Sequence, residues 1–518
     1  MDGIRSDPTI FAPLLAIAVV ALFTYASRKR SNPTHKVVKF AEVLRQRRPG
    51  RILNFHCETA ASVYPQTTWE VHIPFNPVMH LTTSAPNVKH LLIDKFDNYP
   101  KGAFWRDTFK DLLGDGIFNA DGTTWKKQRK VASYEFSAKT LRTFMYDVFS
   151  KHSKQALQVM MAEKSSPSSL VDCQEVFARY TLESIGIIGF GCSLGAFEDA
   201  NVSSSFGGAF NLATLRTADR FVDPLWKVKR LLNVGKEKEL KGAIRLIQNF
   251  SSKVIAERRL DDDLNEKPDL LSRFMSMSKN STSDSNRRTT RDRTQSDPNE
   301  FEFSDQELYF IIINFVLAGR DTTANSLTWT LWELAKEENR GCVDKIRAEN
   351  DRLRSEEPGF DGVHDHDLIS KSQYLKCVIY EGLRLYPPVP VDIKCAENND
   401  VLPDGTVVNA GDRVMFLIYG MARQKDIWGD DAEVFRPERF LTTDGKFKAP
   451  EAWKMPTFLA GKRTCLGKDM AMLSSSIMLL DFLDGFDVSG GEDAIMLYDT
   501  GLTLWSTTGL NIKVDARL

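Results

Sequence analysis

Cysteine is scarce in this chain and net charge is almost absent. The 518 residues contain seven cysteines, odd in number and scattered from Cys57 to Cys465. That distribution excludes a disulfide framework and fits a reducing compartment. Acidic and basic side chains nearly cancel, giving a formal charge of -1. Nothing in the overall charge therefore indicates nucleic acid as a partner, and no internal repeat is visible.

One long apolar run lies at the amino terminus. Residues 9–26 are apolar over about 18 positions, the lower end for a membrane helix, and a basic triplet at 28–30 follows directly. This charge bias predicts a lumenal segment at 1–8, a single-pass anchor at 9–26, a linker at 27–35 and a cytosolic domain at 36–518. A cleaved signal peptide is the alternative, but its basic residues should precede the apolar core.

A polar stretch and a long helix organise the middle of the chain. Residues 280–299 are rich in Ser, Thr, Arg and Asp, which predicts a flexible surface loop. Ser304 and Glu307 form a capping box, so we expect a helix from there to about Lys336. An acid, two hydroxyls and small residues interrupt its apolar centre at 318–323. Threonine can bond back to a carbonyl and bend a helix, so a simple kink competes with a functional site.

Weaker local patterns follow the long helix. Glu381 and Arg384 lie on one helix face at i, i+3, although most such pairs are solvated surface bridges. Pro403 to Gly405 predicts a turn between short strands. The alternating segments 502–505 and 510–514 predict a carboxyl-terminal hairpin.

The most specific motif is the pattern Phe-x-x-Gly-x-Arg-x-Cys-x-Gly, filled by Phe458, Gly461, Arg463, Cys465 and Gly467. A thiolate at the cysteine can ligate haem iron, and a helix start after it favours the ionised sulfur. The glycines allow a tight turn close to a flat cofactor. The arginine can pair with a propionate, and the phenylalanine can pack on the macrocycle. A small buried cysteine beside a turn is the alternative, but five matched positions argue against it.

In their order along the chain, these motifs resemble the cytochrome P450 family from about residue 36 to residue 514. The resemblance implies a mainly α-helical fold with a smaller β domain, in which haem b lies between the long central helix and the cysteine loop. Cys465 would be the axial ligand of the iron, and Trp125 and Arg129 would bind a haem propionate. Glu381, Arg384 and Arg439 would form a buried ion network.

The resemblance also assigns the centre of the long helix. Ala318 and Gly319 would leave room for dioxygen, Thr322 would order a water, and Asp321 would relay protons. Positioned proton transfer of this kind contributes about 10²–10⁴-fold in rate. The implied activity is that of a monooxygenase that takes NADPH electrons from cytochrome P450 reductase.

Three further groups of residues have a composition typical of partner, cofactor or metal sites. A basic face for the reductase would be formed by Lys126, Lys127, Lys130, Lys462 and Lys468. The glycine-rich segment 189–195 has the wrong spacing for a dinucleotide loop and follows a predicted helix at 176–188. The His and Asp residues at 364–367 lie in a polar connection, where such side chains are usually solvated, so no metal site is predicted there.

Four phrases most resemble the fatty-acid omega-hydroxylase branch of plants and fungi: residues 98–102, 116–122, 269–274 and 315–323. The implied reaction is oxygen insertion at the far end of a long fatty acid, by a monomer anchored in the endoplasmic reticulum membrane. Hydroxylation of sterols, terpenoids or xenobiotics remains an alternative. A hydroperoxide isomerase or dehydratase that needs no dioxygen is a weaker one, because the acid and threonine of the long helix are present. Candidate substrate-lining segments are 103–113, the helix face near Asn314, 389–393 and 506–510.

Overall fold

The computed structural model describes residues 32, 35–73, 76–136, 140–164, 169–198, 206–276, 303–356 and 366–517. The predicted anchor and the predicted polar loop at 280–299 lie outside these ranges. Within them, no helix combines the length and the apolar character needed to cross a membrane.

Helices form most of the structure, as predicted, and the strands are short. The helices are α1 (Phe40–Arg45), α2 (Ile52–Val63), α3 (Ala85–Lys89), α4 (Gly102–Leu113), α5 (Gly122–Glu135), α6 (Tyr146–Glu163), α7 (Cys173–Phe190), α8 (Phe206–Asp219), α9 (Trp226–Leu232), α10 (Lys236–Arg259), α11 (Asp305–Leu334), α12 (Arg340–Glu356), α13 (His366–Lys371), α14 (Gln373–Leu385), α15 (Ile418–Met421), α16 (Lys425–Trp428) and α17 (Lys468–Gly485). The strands are β1 (Val37–Lys39), β2 (Thr68–His72), β3 (Met79–Thr82), β4 (Val171–Asp172), β5 (Val391–Cys395), β6 (Asp400–Val401), β7 (Val407–Val408), β8 (Arg413–Leu417), β9 (Phe486–Ser489), β10 (Tyr498–Thr500), β11 (Leu504–Ser506) and β12 (Asn511–Ala516).

The largest sheet joins three amino-terminal strands to two strands at 391–417. Its strand order is β1-β2-β3-β8-β5. Strand β3 pairs with β2 antiparallel and with β8 parallel, with Leu81 opposite Trp69 on one side and Met415 on the other. Strands β6 and β7 pair antiparallel around residues 403–405, which confirms the predicted turn.

The predicted carboxyl-terminal hairpin is wrong. Strand β11 pairs with β10, whereas β12 pairs with β4 and β9. Two distant side chains separate them: Asp172 accepts the N–H of Leu510 at 2.9 Å, and Gln174 exchanges hydrogen bonds with the backbone of Ser506 at 2.9 and 3.0 Å. The alternation identified the strands, but long-range partners decided how they pair.

Helix α11 is the central element, with 30 residues. The predicted capping box of Ser304 and Glu307 is present, and the helix ends at Leu334, two residues before the predicted end. Nearly every side chain from 308 to 334 is buried, which is typical of a helix surrounded by others. The helix runs unbroken through 318–323, so the local pattern does not interrupt it.

A buried ion network fixes α14. Glu381 accepts both bonds of the Arg384 guanidinium at 2.7 Å and a third from Arg439 at 2.9 Å, and all three side chains are buried. The remaining N–H groups of Arg384 donate to the carbonyls of Ala422, Ala432 and Val434. Because every charge is paired and hydrogen-bonded, the cluster is stable in spite of its burial.

Removal of the shared Glu381 carboxylate should therefore lower the stability of the domain more than removal of a surface carboxylate. We expect Glu381→Ala to lower the free energy of unfolding by about 3–5 kcal/mol, because two buried guanidiniums lose their partner. Denaturant unfolding measures this change. Glu356→Ala is the control, because Glu356 forms an exposed i, i+4 pair with Arg352, and it should have little effect. Equal losses in both variants would contradict the role of the network.

Candidate active site

The cysteine loop is closed by its own backbone. The N–H of Cys465 donates to the carbonyl of Phe458 at 2.8 Å, and the N–H of Thr464 donates to that of Gly461 at 3.1 Å. Leu459 adopts a positive φ of 56°, a strained conformation for a residue with a Cβ. No sequence signal marks Leu459, and the strain shows how tightly this loop is held.

The two motif glycines are used differently. Gly461 has a φ of 63°, and a Cβ there would lie 2.4 Å from the carbonyl oxygen of Leu92. Its role in the fold is thus close packing on the neighbouring turn. A Cβ on Gly467 would meet only ordinary contacts, 4.0 Å from the sulfur of Cys465 and from Phe136. Gly467, which has no side chain, thus leaves space beside the sulfur. Close approach of either glycine to a cofactor remains a prediction.

Cys465 is solvent-exposed although protein surrounds the loop. Burial of its surroundings raises the pKa of the thiol above its ordinary value, whereas the N–H of Gly467 and the charge of Arg129 lower it. Helix α17 starts three residues later at Lys468, as predicted. Coordination to a metal would hold the sulfur in its ionised form.

The predicted propionate residues lie together on α5 and the cysteine loop. The guanidinium of Arg463 lies 4.4 Å from the centre of the buried Trp125 ring, and that of Arg129 lies 5.8 Å from it. Arg129 donates to the carbonyl of Thr464 at 2.6 Å, which ties α5 to the loop. Phe458 is half-buried near Tyr380 of α14, with their ring centres 6.3 Å apart.

A buried charge cluster beside Arg463 was missed by the sequence analysis. Asp121 accepts from Arg463 at 2.5 Å, and Asp392 binds Lys101 at 3.1 Å and Lys394 at 2.5 Å. Burial lowers the pKa of Lys394 to about 7. Burial alone would raise the pKa of Asp392, but the two lysines bring it well below its ordinary value. Two charged residues within the buried strand β5 were the available signal.

This region carries more positive than negative charge. The carboxylates of Asp121 and Asp392 face three cationic side chains, Lys101, Lys394 and Arg463, and a fourth cation, Arg129, lies near Arg463. Unbalanced buried charge is costly. The two propionates of haem b carry the charge that would balance it, so the residues present fit this group.

A row of residues at the centre of α11 is less buried than the rest of this segment. From 311 to 331, the only half-exposed positions are Leu317, Ala318 and Thr322. The hydroxyl of Thr322 donates to the carbonyl of Ala318 at 2.5 Å, which leaves its oxygen free to accept another bond. The row therefore offers two apolar side chains and one acceptor.

Gly319 lies on a different side of α11. A Cβ there would lie 2.6 Å from Ile185 of α7 and 3.4 Å from Met470 in the first turn of α17. Its small size thus permits close helix packing, and the predicted space for dioxygen rests on Ala318 in this structure. Because Met470 is five residues from Cys465, the same contact brings the cysteine loop to the centre of α11.

Asp321 is buried beside Arg320. Burial raises the pKa of its carboxyl group, and the guanidinium of Arg320, whose Nη1 is 3.1 Å from Oδ1, opposes that shift. The acid and Thr322 are adjacent, but only Thr322 reaches the half-exposed row. The relay role of Asp321 remains a prediction.

The helix face near Asn314 stays a prediction for substrate lining, and Asn314 itself bonds to backbone groups. It is fully buried, and its amide donates to the carbonyls of Leu113 and Phe310 and accepts the N–H of Phe118. These bonds hold the end of α4 and the next turn against α11. This polar side chain on an apolar helix therefore provides hydrogen-bond partners for buried backbone groups.

Comparison with known proteins agrees with this geometry. The family model described as Cytochrome P450 matches residues 39–514. The chain belongs to the cytochrome P450 family. It is 37% identical over 461 residues to Cytochrome P450 94C1 of Arabidopsis thaliana, which covers 88% of this chain and 87% of the relative. It is 36% identical to Cytochrome P450 704B1 of the same plant, over 80% and 82% of the two chains. It is 39% identical to Cytochrome P450 86B1, also from that plant, over 76% and 69%. The family implies a haem-thiolate iron and a monooxygenase activity.

Two glycine variants of this P450 separate the effect of close packing in the cysteine loop from the conformational cost of a positive φ. Gly405 has a φ of 85° and no atom within 4 Å of an added Cβ, so Gly405→Ala should show only the conformational cost, about 1–2 kcal/mol. Gly461→Ala adds a clash with the Leu92 carbonyl, so we expect a larger loss of stability and reduced haem content. Thermal unfolding and haem absorbance per chain measure both effects. Equal losses would show that Leu92 can move aside at no cost.

Proposed function

We propose that this P450 hydroxylates long-chain fatty acids at or near the omega carbon. The proposal is supported by the half-exposed row of Leu317, Ala318 and Thr322, in which Leu317 and Ala318 present apolar surface at the centre of α11. Apolar side chains line most sites that bind lipophilic ligands. The phrases that resemble the omega-hydroxylase branch support the same substrate.

Haem b would be held by the residues that fit it. Cys465 would ligate the iron, the propionates would be bound from Trp125, Arg129 and Arg463, and Phe458 would pack on the ring. When bound, the haem supplies the oxygen-activating chemistry of the family. The protein itself would orient the substrate, limit the access of water and deliver protons.

The proton path is assigned to adjacent residues of α11. Since the Thr322 hydroxyl hydrogen is donated to the Ala318 carbonyl, its oxygen accepts from a water and fixes the direction of that water. Asp321 would pass protons to it from the side of the helix that faces Arg320. Ala318 keeps the space next to that water free of a larger side chain.

Electrons would come from NADPH through cytochrome P450 reductase. Lys126 and Lys130 are exposed on one face of α5, and Lys462 is exposed near Asp97, so these lysines would contact an acidic partner. Lys127 is half-buried over the ring of Phe303 at 4.7 Å, and Lys468 is half-buried, so both contribute less than the sequence suggested. The protein would act as a monomer, anchored by residues 9–26 in the endoplasmic reticulum membrane.

Product analysis tests the substrate directly. Membranes that contain the full chain and a reductase should convert C12 to C18 fatty acids, in the presence of NADPH, into omega-hydroxy or dicarboxylic acids. Mass spectrometry identifies the position of attack. Absence of any oxidised fatty acid from a preparation with an intact thiolate-haem carbon monoxide spectrum would overturn the substrate while leaving the family unaffected.

Thr322→Ala should separate proton delivery from haem binding. We expect an unchanged carbon monoxide spectrum but about tenfold less product per NADPH, with the missing electrons recovered as hydrogen peroxide, because positioned proton transfer is worth about 10²–10⁴-fold in rate. Thr328→Ala is the matched control, since its hydroxyl donates to the Ala324 carbonyl at 2.8 Å in the same helix but the residue is fully buried. Well-coupled turnover by Thr322→Ala would rule out this role.

A further inference from the structure

Arg320 connects the buried acid of α11 to a neighbouring helix. Its Nη1 lies 3.1 Å from Oδ1 of Asp321 and also donates to the amide oxygen of Asn211 on α8. Both Arg320 and Asp321 are buried. Among the described residues, Asn211 is the one hydrogen-bond acceptor found for this guanidinium, and Nε has no partner there.

The Arg320–Asp321 pair needs an external restraint. Adjacent side chains on a helix do not face each other, so the long arginine must turn back to reach the carboxylate. The contact satisfies the distance of an ion pair without forming an aligned hydrogen bond. The bond to Asn211 supplies the missing restraint, because it holds the same nitrogen between the amide and the acid.

Helix α8 is itself firmly placed at this point. Phe210, next to Asn211, is fully buried, and Phe206 one turn earlier packs against Phe250 of α10 and Phe190 of α7, with ring centres 5.0 and 5.9 Å apart. Asn211 by contrast is solvent-exposed. The three side chains thus form a series that runs from the exposed amide of Asn211, through the buried guanidinium of Arg320, to the buried carboxyl group of Asp321. A movement of α8 would therefore shift Arg320 and, through Arg320, the carboxyl group of Asp321.

We propose that Asn211 is a positioning residue for proton delivery, which holds Arg320 against Asp321 and thereby fixes the orientation of the acid. This inference rests on the proposed relay role of Asp321. It assigns a function in oxygen activation to a residue of α8, outside the signature of α11. Asn211 itself exchanges no proton and touches no substrate in this role.

Three variants test the assignment in the full-length haem protein. Asn211→Leu removes the acceptor at similar size, Asn211→Gln keeps an amide oxygen, and Leu215→Ala is the control. Leu215 lies one turn further on the exposed side of α8 and is 43% exposed. Loss of this acceptor frees Arg320 from its restraint, so we expect Asn211→Leu to lower product formed per NADPH about threefold or more. The KM for the fatty acid should stay within about twofold, and the other two variants should resemble the parent.

A second measurement does not depend on turnover. Infrared spectra of the resting protein report the carbonyl stretch of a protonated buried carboxyl group, and Asp321→Asn identifies the band that belongs to Asp321. At one fixed neutral pH, Asn211→Leu should show a larger protonated fraction of Asp321 than the parent, and Asn211→Gln should not.

The outcomes are separable. Lower coupling together with a stronger Asp321 band in Asn211→Leu alone supports the proposal. An unchanged band, unchanged coupling, or a raised KM with normal coupling overturns it, the last because it would make Asn211 a substrate contact. If the parent oxidises no fatty acid, the proposed substrate fails, whereas the infrared comparison still decides the role of Asn211.

Discussion

The carboxylate of Glu381, buried between two guanidiniums, is the constraint on which the rest of the site depends. Its partners are tied to carbonyls between residues 422 and 434, so this irregular segment must return to α14 before the ion cluster is complete. The same helix presents Tyr380 to Phe440 and Phe458. The cysteine loop therefore begins on a surface that the ion cluster holds in place. From Phe458 onward, the hydrogen bonds of the loop's own backbone set the position of the Cys465 sulfur.

The second organising feature is the balance of charge around the loop. Most of the interior of this P450 is apolar, yet Lys101, Lys394, Arg129 and Arg463 converge on one side of the site. Fixed cations held by helices and strands need no rearrangement when an anionic group binds, so affinity is not reduced by ordering. The acids Asp121 and Asp392 keep these cations in place and limit their mutual repulsion.

Local chemistry predicted the parts of this structure that depend on neighbours in sequence. The capping box at Ser304, the turn at Pro403 and the pattern around Cys465 require only nearby residues. The prediction failed where distant groups compete for the backbone, because Asp172 takes Leu510 out of the expected hairpin. The cation cluster could not be assembled from sequence alone, because its members come from four separate segments of the chain.

The parallel pairing of β3 with β8 has a consequence for synthesis of the chain. Residues 79–82 find their partner only at 413–417, so about two-thirds of the protein must leave the ribosome while one edge of β3 remains unpaired. Unpaired strand edges of this kind are templates for aggregation, and long-range pairing of this kind forms slowly. The amino-terminal strands of this P450 are therefore prone to aggregation in the nascent chain, although they lie far in sequence from the cysteine loop.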